Sequence, residues 1–365
     1  MPITSPVPHV LVRAIRPFAL VLALAGLALG TLAPASASPT TPAARSAALG
    51  SSAALGSSAS LGGTPPTASG SAAAASGTVK ARFGTFNVSS QKSRGKRGFN
   101  SRLERIATSI VSRKIGVVGL QELSPGAKGK RPTDRLVRAL RRAGGTYAMV
   151  RTSPYFPAGT KKVGSQGARI VYDSSRYALV SSCPNSTGNR QYSSSCAIEM
   201  PPGPGEKHGR MAAIAQFRDR ATGARFWFVS VHLTPLAGVK RDRLRTRQVK
   251  HVVSQIEKRN VAKLPIVLVG DLNTWRNRST GRNAHDFLAK RGFVDSFTAK
   301  KRKNAKFSTY NQWGKRVKKG ARLDYVLVKN GAGVLRYRNV TKRVDAKRPS
   351  DHNLVIGDVR LPAPR

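Results

Sequence analysis

The sequence predicts an α/β fold for the region from about Val79 to Arg365. Two observations support this. Short apolar segments of strand length alternate with amphipathic segments of helical length, which favours an α/β architecture over a helical bundle or an all-β barrel. The residues before this region are also too poor in aromatic and charged side chains to build a core of their own. We therefore expect one folded domain, residues 79–365, behind a separate leader.

The leader begins as a signal peptide. Arg13 and Arg16 precede an apolar stretch from Phe18 to Leu32, and Ala35-Ser36-Ala37 supplies small residues for cleavage. That stretch is shorter than the ~20 residues a membrane-spanning helix needs, and no later segment is apolar enough to span a bilayer. The sequence therefore predicts a signal peptide over residues 1–37, a secreted product and no transmembrane segment in the mature protein.

The next segment, residues 38–78, consists almost entirely of Ala, Ser, Gly, Thr and Pro. Such a composition cannot bury a core, so it predicts a disordered linker. Within the domain, Ser101 and Glu104 have the spacing of a capping box at the start of a helix. Its apolar face is expected to consist of Leu103, Ile106, Ala107, Ile110 and Val111, and a buried strand follows over Ile115 to Leu120.

Polar or ionisable residues stand at the ends of the predicted strands. Strands end at Thr85-Phe86-Asn87, Leu120-Gln121-Glu122, Val231-His232 and Gly270-Asp271-Leu272-Asn273, whereas Arg322-Leu323-Asp324-Tyr325 and Ser350-Asp351-His352-Asn353 precede strands. Taken singly, each has an ordinary explanation: Gly-Asp-x-Asn is common turn chemistry, and Asp351 could cap a turn. Their joint occurrence in one domain favours a functional site.

These residue types suit hydrolysis of a phosphate ester, in which a hard divalent cation neutralises phosphate oxygens while water is activated. Magnesium needs only one or two carboxylates, so Glu122 with Asp351 or Asn87 would suffice. The residues assigned to the reaction itself are as follows: Asp271 for activating water, Asn273 for donating to a phosphate oxygen, His232 and His352 for stabilising charge or protonating the leaving group, and Asp324 for orienting a histidine.

The charge of the chain favours a polyanionic partner. Lysine and arginine total 64 against 16 acidic residues, giving a formal net charge of +48. Nucleic acid is the commonest such partner, although other polyanions remain possible and a merely basic surface is the plain alternative. Basic clusters lie at 92–97, 138–142, 240–247, 300–303 and 315–319. Trp275 could stack on bases or pack in the core.

The two cysteines, Cys183 and Cys196, are closely spaced in a Ser- and Asn-rich segment. In an exported protein an even pair of this kind favours a disulfide over two free thiols. Nothing in their surroundings suggests a zinc site.

The order of these motifs resembles the endonuclease/exonuclease/phosphatase superfamily, and the resemblance covers essentially Val79 to Arg365. It implies a four-layer α/β sandwich of two packed mixed sheets, with the motifs meeting at one edge around Mg²⁺ or Mn²⁺. Carried over residue by residue, it places Asn87, Glu122 and Asp351 at the metal, Asp271 with Asn273 at water and phosphate, His352 and His232 at the phosphate, and Asp324 behind a histidine. Tyr172 falls where many members have an aromatic residue that lines the site, although a plain strand tyrosine fits equally.

Three functions follow, from different classes. The first is a secreted, monomeric, Mg²⁺-dependent nuclease that hydrolyses phosphodiester bonds by in-line attack of water. The second is a phospholipid or inositol-phosphate phosphodiesterase, which would share every catalytic residue. The third is a non-catalytic cationic binder of nucleic acid, against which the intact motif set counts.

Overall fold

The computed structural model describes residues 77–90, 98–123, 132–150, 168–183, 196–204, 209–235, 237–275, 283–314, 316–344 and 346–364. The signal peptide predicted for residues 1–37 lies outside these residues, as do nearly all of the predicted linker and the basic cluster 92–97.

In chain order the elements are β1 (Thr78–Asn87), α1 (Phe99–Val111), β2 (Val117–Gln121), α2 (Pro132–Arg142), β3 (Tyr147–Met149), β4 (Arg169–Asp173), β5 (Tyr177–Leu179), β6 (Ala197–Glu199), β7 (Met211–Asp219), β8 (Arg225–His232), α3 (Val239–Arg259), β9 (Ile266–Asp271), α4 (Ala284–Lys290), β10 (Val294–Asp295), a 3₁₀ helix (Ser296–Thr298), β11 (Lys301–Lys303), β12 (Asp324–Lys329), β13 (Gly333–Val340) and β14 (Leu354–Pro362). The strands form two mixed sheets. The first has the order β11-β13-β14-β1-β2-β4-β3, and the second has the order β10-β12-β9-β8-β7-β5 with β6 paired to β7.

Three apolar cores stack these elements into four layers. The core between the sheets includes Phe83, Val117, Phe228 and Val267. A second core packs α3 and α4 on the outer face of the second sheet, and a third packs α1 and α2 on the first sheet. Helices, sheet, sheet and helices therefore follow one another, which confirms the predicted α/β sandwich of two packed mixed sheets.

Helix α1 shows where the sequence prediction was wrong. The helix starts at Phe99 after Gly98, with no side-chain cap, so Ser101 and Glu104 do not form a capping box. Ser101 Oγ instead donates to the Gly98 carbonyl, and Glu104 pairs with Arg142 at 2.5 Å. The earlier start is explained by burial of Phe99, which extends the predicted apolar face by one turn.

A chain of polar side chains crosses the space between the sheets. Thr85 Oγ1 donates to Gln121 Oε1 at 3.1 Å, and Gln121 Nε2 donates to Ser230 Oγ at 3.1 Å. All three side chains are fully buried, so each hydrogen bond offsets a desolvation penalty that no water relieves. This chain fixes β1 and β2 of the first sheet against β8 of the second, directly beneath the strand ends.

Gly119 makes that contact possible. A Cβ atom at this position would lie 2.3 Å from Val269 Cγ2 and 2.7 Å from Ser230 Oγ, both on the opposite sheet. The side chains of the second sheet therefore occupy the space that a side chain at this position of the first sheet would need.

Cys183 and Cys196 form a disulfide with Cα atoms 5.4 Å apart, which ties the segment after β5 to β6. Among the described residues, none of the helices is both long enough and apolar enough to cross a membrane.

Replacing Gly119 with alanine is expected to destabilise the domain by about 1–3 kcal/mol, because the added methyl group overpacks the space between the sheets. Denaturant unfolding measures the change. Gly333→Ala is the matched control, since its Cβ would meet only Arg360 Cβ at 3.9 Å. Equal stabilities of the two variants would contradict the proposed close approach.

Candidate active site

Strand direction brings the predicted residues of the first sheet to one edge. Strands β1 and β2 are parallel, with Asn87 opposite Gln121, so Asn87 and Glu122 leave the sheet side by side. Strand β14 runs antiparallel to β1, with Thr85 opposite Val355. The segment before β14 therefore reaches the same edge, where Ser350 Oγ donates to the Asn87 carbonyl at 2.6 Å.

The second sheet repeats this arrangement. Strands β8 and β9 are parallel and place His232 opposite Asp271. Strand β12 is antiparallel to β9 and places Asp324 opposite Asp271. Gly270, with φ of 155°, is required here because a Cβ would lie 2.1 Å from the Val231 carbonyl oxygen on β8.

The Asp271 carboxylate joins the two sheets. Its Oδ2 accepts a hydrogen bond from Asn87 Nδ2 at 3.2 Å, and its Oδ1 accepts from the Asn273 backbone N–H at 2.9 Å. The Nε2 atoms of His232 and His352 both lie 3.7 Å from the same Oδ2. Four of the predicted residues therefore converge on the buried carboxylate of a fifth, Asp271.

Burial raises the pKa of Asp271, and the Asp324 charge adds to that rise, whereas His352 opposes it. A carboxylate in such surroundings accepts a proton more readily than an exposed one. This property suits a group that removes a proton from water.

His352 is held by a second carboxylate. Its Nδ1 lies 2.9 Å from Asp324 Oδ2, and the Tyr310 ring packs against the imidazole with centroids 4.8 Å apart. Burial alone would lower the pKa of His352, but Asp324 and Asp271 outweigh it and raise the pKa. The imidazole therefore lies between two carboxylates, with Nδ1 bonded to Asp324 and Nε2 3.7 Å from Asp271 Oδ2.

Asp324 is in turn fixed by backbone contacts. The Thr309 hydroxyl oxygen accepts from the N–H groups of Leu323 and Asp324, at 2.9 and 3.2 Å. The Asp324 side chain is fully buried. This support explains how a carboxylate at the start of β12 keeps one orientation behind His352.

The Asp271–Asn273 segment is both a turn and part of the site. The Asn273 N–H bond to Asp271 Oδ1 closes an Asx turn, and Asn273 has φ of 47°, which asparagine tolerates. Its side-chain Nδ2 also donates to the Leu233 carbonyl at 2.9 Å. The turn explanation and the functional one are thus compatible, since Asp271 Oδ2 still faces the histidines.

Asn87 lies between two carboxylates of the site. Its Nδ2 donates to Glu122 Oε1 and Asp271 Oδ2, both at 3.2 Å, while its Oδ1 accepts from the Ser89 N–H at 3.1 Å. The amide orientation follows from these partners, because carboxylates can only accept and an N–H can only donate. Asn87 therefore bridges the Glu122 and Asp271 carboxylates.

Glu122 and Asp351 remain as the oxygen donors on the first sheet's side. Glu122 is buried and has φ of 56°, a conformation that is uncommon for glutamate and typical of functional sites. Asp351 is half-buried and follows Ser350, which is bonded to Asn87 at the same sheet edge. Both carboxylates therefore belong to this edge, and carboxylate oxygens are the donors that a hard divalent cation such as Mg²⁺ or Mn²⁺ prefers.

A second group also has the composition of a metal site. Ligand atoms of Asp271, Asp324 and His352 lie within 4.8 Å of one another. Within it, however, Asp324 Oδ2 is bonded to His352 Nδ1, and Asp271 Oδ2 accepts from Asn87 Nδ2, so these oxygen atoms already have partners in the protein. We therefore assign this group to proton and charge handling and the Glu122–Asp351 pair to metal binding.

Arg102, which the sequence prediction missed, holds the loops around the site together. Its guanidinium donates to the carbonyls of Val88, Ser89 and Pro349 at 2.5–3.0 Å and lies 4.9 Å from the Trp313 ring centroid. Burial lowers its pKa to about 10, against the opposing charges of the two carboxylates. The signal was present in the sequence, since Arg102 lies three residues after Phe99 on the apolar face of α1.

Tyr172 and Trp275, the two residues predicted to contact substrate, lie in different parts of the structure. Tyr172 pairs with Val117 at the opposite end of β2 from Glu122, and its ring packs on Phe217 with centroids 5.0 Å apart. The structure therefore does not bring Tyr172 to the site, and the plain strand explanation fits it. Trp275 is half-buried in the segment that follows Asp271 and Asn273, close in sequence to the site.

Comparisons with known proteins give a family match and matches to solved structures of the same fold. A family model described as "Endonuclease/Exonuclease/phosphatase family" matches residues 84–352. No curated protein sequence gives a significant match. Among solved structures, an endonuclease/exonuclease/phosphatase from Bacteroides vulgatus is 19% identical, with a TM-score of 0.59 over 78% of this chain and 99% of that chain.

Two further solved structures share the fold. A mannosyl-6-phosphatase of Bacteroides thetaiotaomicron is 18% identical, with a TM-score of 0.56 over 76% of this chain and 99% of that chain. TDP2 of D. rerio, complexed with a single-strand DNA product, is 16% identical, with a TM-score of 0.52 over 77% of this chain and 98% of that chain.

Replacing Asp324 with asparagine is expected to lower the pKa of His352, because the neutral amide no longer stabilises the imidazolium. In the native protein the raised pKa stabilises the fold fully below the pKa of an unfolded histidine, and this stabilisation is lost as pH rises through the folded pKa. NMR titration of the histidine resonances in metal-free protein measures the shift. Glu104→Gln, which breaks only the exposed pair with Arg142, is the control, and an unchanged His352 titration in Asp324→Asn would contradict the assignment.

Proposed function

Because the chain belongs to the endonuclease/exonuclease/phosphatase family and is thus a phosphoesterase, we propose that it is a secreted nuclease. It would hydrolyse phosphodiester bonds of nucleic acid by in-line attack of water, with Mg²⁺ or Mn²⁺ as cofactor. The observation that carries this proposal is the convergence of Asn87, His232 and His352 on the Asp271 carboxylate in a chain whose formal net charge is +48.

Glu122 and Asp351 are the residues that would hold the metal. A divalent cation there supplies charge that neutralises non-bridging phosphate oxygens. Arg102 supports this role from outside the site, because its contacts to Val88, Ser89 and Pro349 fix the loops that follow β1 and precede β14.

The remaining residues would transfer protons and stabilise negative charge. Asp271, with its raised pKa, orients water and takes its proton. His352, kept cationic by Asp324, stabilises negative charge on the phosphate or donates a proton to the leaving oxygen. His232 Nε2 lies at the same 3.7 Å from this carboxylate oxygen as His352 Nε2, so both imidazoles would contact the phosphate.

We infer the substrate class from the charge of the chain, because proteins of this fold act on several classes of substrate. Solved structures of this fold include a sugar phosphatase and a protein bound to a DNA product. The excess of 64 basic over 16 acidic residues favours a long polyanion over a small monoester.

The central test is nicking of supercoiled plasmid and cleavage of RNA by purified residues 79–365 with Mg²⁺ or Mn²⁺, with and without chelator. Asp271→Asn and His352→Ala are expected to lower the rate by about a hundredfold or more, since each removes a group that moves a proton or stabilises charge. Glu104→Gln should retain full activity.

Sphingomyelin, inositol polyphosphates and sugar phosphates form the parallel substrate panel. Turnover of one of these with intact plasmid and RNA would replace the nuclease proposal with another phosphoesterase activity. Binding of nucleic acid without turnover of any substrate would favour the non-catalytic binder.

Secretion is a separate proposal that rests on Arg13, Arg16 and the Ala35-Ser36-Ala37 segment. Expression of the full chain in a bacterial host with a general secretion pathway should release a protein whose N-terminus is Ser38. N-terminal sequencing of the culture supernatant tests this, and a protein retained in the cytoplasm with residues 1–37 intact would contradict it.

A further inference from the structure

The outer face of the first sheet is only partly covered by helices. Near the active site, Phe86 and Ile356 on this face pack in the core beneath α1 and α2. Because side chains alternate along a strand, Arg82 and Lys80 of β1 lie on the same face farther from the site. Lys80 is exposed and Arg82 is half-buried, so here the face is open and basic.

The strand registers place like charges directly opposite each other on this face. Lys80 pairs with Arg360 across β1 and β14, and the β11–β13 pairing sets Lys301 against Arg336 and Lys303 against Arg338. Like charges in direct cross-strand pairs destabilise a sheet. Three such pairs on one open face are a cost to folding that an anionic ligand would offset.

One carboxylate lies within this basic face. Asp358 accepts from Arg82 at 2.6 Å and lies 3.8 Å from Arg336. No ion pair is recorded for Lys80, Lys301 or Arg360 in the part of the chain that the structure describes. Their charges are therefore available to a ligand.

These residues line a groove of about 830 Å³. Lys114, after α1, and Arg176, in the turn between β4 and β5, add two further cations to its rim. Asp358 is the only acid among its described lining residues. Its larger apolar lining residues, Val334 and Leu335, are half-buried, and the exposed large apolar side chains of the described chain, among them Val239 and Val261, all lie outside it. A protein that enters a membrane does so with exposed apolar side chains, which this groove does not offer.

We propose that this basic groove binds the phosphate backbone of a nucleic-acid strand at a site separate from the active site. Lys80 and Asn87 are seven residues apart on β1, which corresponds to roughly 23 Å along an extended strand. A long strand could then occupy both sites, and a short one only the active site. The choice of nucleic acid rests on the proposed function, whereas the groove itself rests on the sheet.

The test compares two variants of residues 79–365 that lose the same charge. The groove variant carries Lys80→Thr, Lys301→Thr and Arg360→Thr in the groove lining, and Lys303→Thr two residues along β11 on the same face. Threonine is used because it suits strand positions. The control variant carries Lys250→Gln, Lys258→Gln, Lys263→Asn and Lys290→Gln, four exposed lysines on or beside α3 and α4. Binding of a fluorescent single-stranded oligonucleotide is measured by anisotropy in chelator, so that no cleavage is needed.

The groove variant is expected to bind a long oligonucleotide at least about tenfold more weakly than the control variant, and its salt slope should fall by up to about 3, since each lost phosphate contact on a single strand removes about 0.7. Hydrolysis of bis(p-nitrophenyl) phosphate, which is too short to reach the groove, should be unchanged in both variants. The groove variant should also melt no lower than the native protein at low salt, because its like-charge pairs are gone.

Equal binding by the two variants would overturn the proposal. The proposal would also be overturned if the groove variant lost binding only to phosphatidylglycerol vesicles and not to oligonucleotides. That result would assign the groove to a membrane surface. If the quadruple variant does not fold, Lys301→Thr and Arg360→Thr singly provide the same comparison with a smaller expected effect. A protein that binds oligonucleotides through the groove but cleaves none would retain this inference and refute only the nuclease proposal.

Discussion

The site depends on one buried carboxylate, Asp271, that belongs to one sheet and is hydrogen-bonded by a residue of the other. An ionised side chain that is 1% exposed is costly unless it is surrounded by donors and positive charge. Asn87, the Asn273 N–H and the two histidines supply these. These contacts form only if the two sheets keep one fixed position relative to each other. The packing of the sheets and the chemistry of the site therefore depend on the same geometry.

That relation is set below the site. Gly119 lets the sheets approach, and the Thr85–Gln121–Ser230 chain fixes their register across the interior. Above it, Arg102 fastens the loops of the first sheet. Parallel and antiparallel pairing brings the C-terminal ends of β1, β2, β8 and β9 and the starts of β12 and β14 to one edge. The residues at these strand ends therefore meet without long loops.

The distribution of acids explains how one chain could attract both a cation and a polyanion. The chain has 16 acidic residues, and four of them, Glu122, Asp271, Asp324 and Asp351, lie at this edge. The surface elsewhere is strongly basic. A small divalent cation is favoured where the carboxylates gather, and a phosphate backbone is favoured over the rest.

Much of this was readable from the sequence, for a physical reason. A strand's apolar run ends where its side chains must meet solvent or substrate, so Asn87, His232 and Asp271 were visible as polar residues at strand ends. The α/β sandwich was confirmed. Features that depend on tertiary partners were not readable: the start of α1 follows burial of Phe99, and the Asn87 amide is oriented by carboxylates from two other strands.

Tyr172 and Arg102 both show what the sequence alone could not predict: Tyr172 was expected at the site and lies elsewhere, whereas Arg102 was not expected there and supports it. Tyr172 was linked to the site by its motif position, but the β2–β4 register carries it to the far end of the strand. Arg102 was overlooked because arginine as a residue type suggests solvent, yet its position on the apolar face of α1 brings its guanidinium to three carbonyl groups in the interior. Register and hydrogen-bond partners, rather than residue type, decided both.

The most direct test of the account is Mn²⁺ binding to the metal-free protein, measured by electron paramagnetic resonance for the native chain, Glu122→Gln and Asp324→Asn. If Glu122 and Asp351 hold the metal and Asp324 supports His352, Glu122→Gln should weaken Mn²⁺ binding by about tenfold or more, a loss expected for one carboxylate ligand, while Asp324→Asn should leave it nearly unchanged. The reverse result would place the metal among Asp271, Asp324 and His352 and would contradict the division of roles on which the proposed mechanism rests.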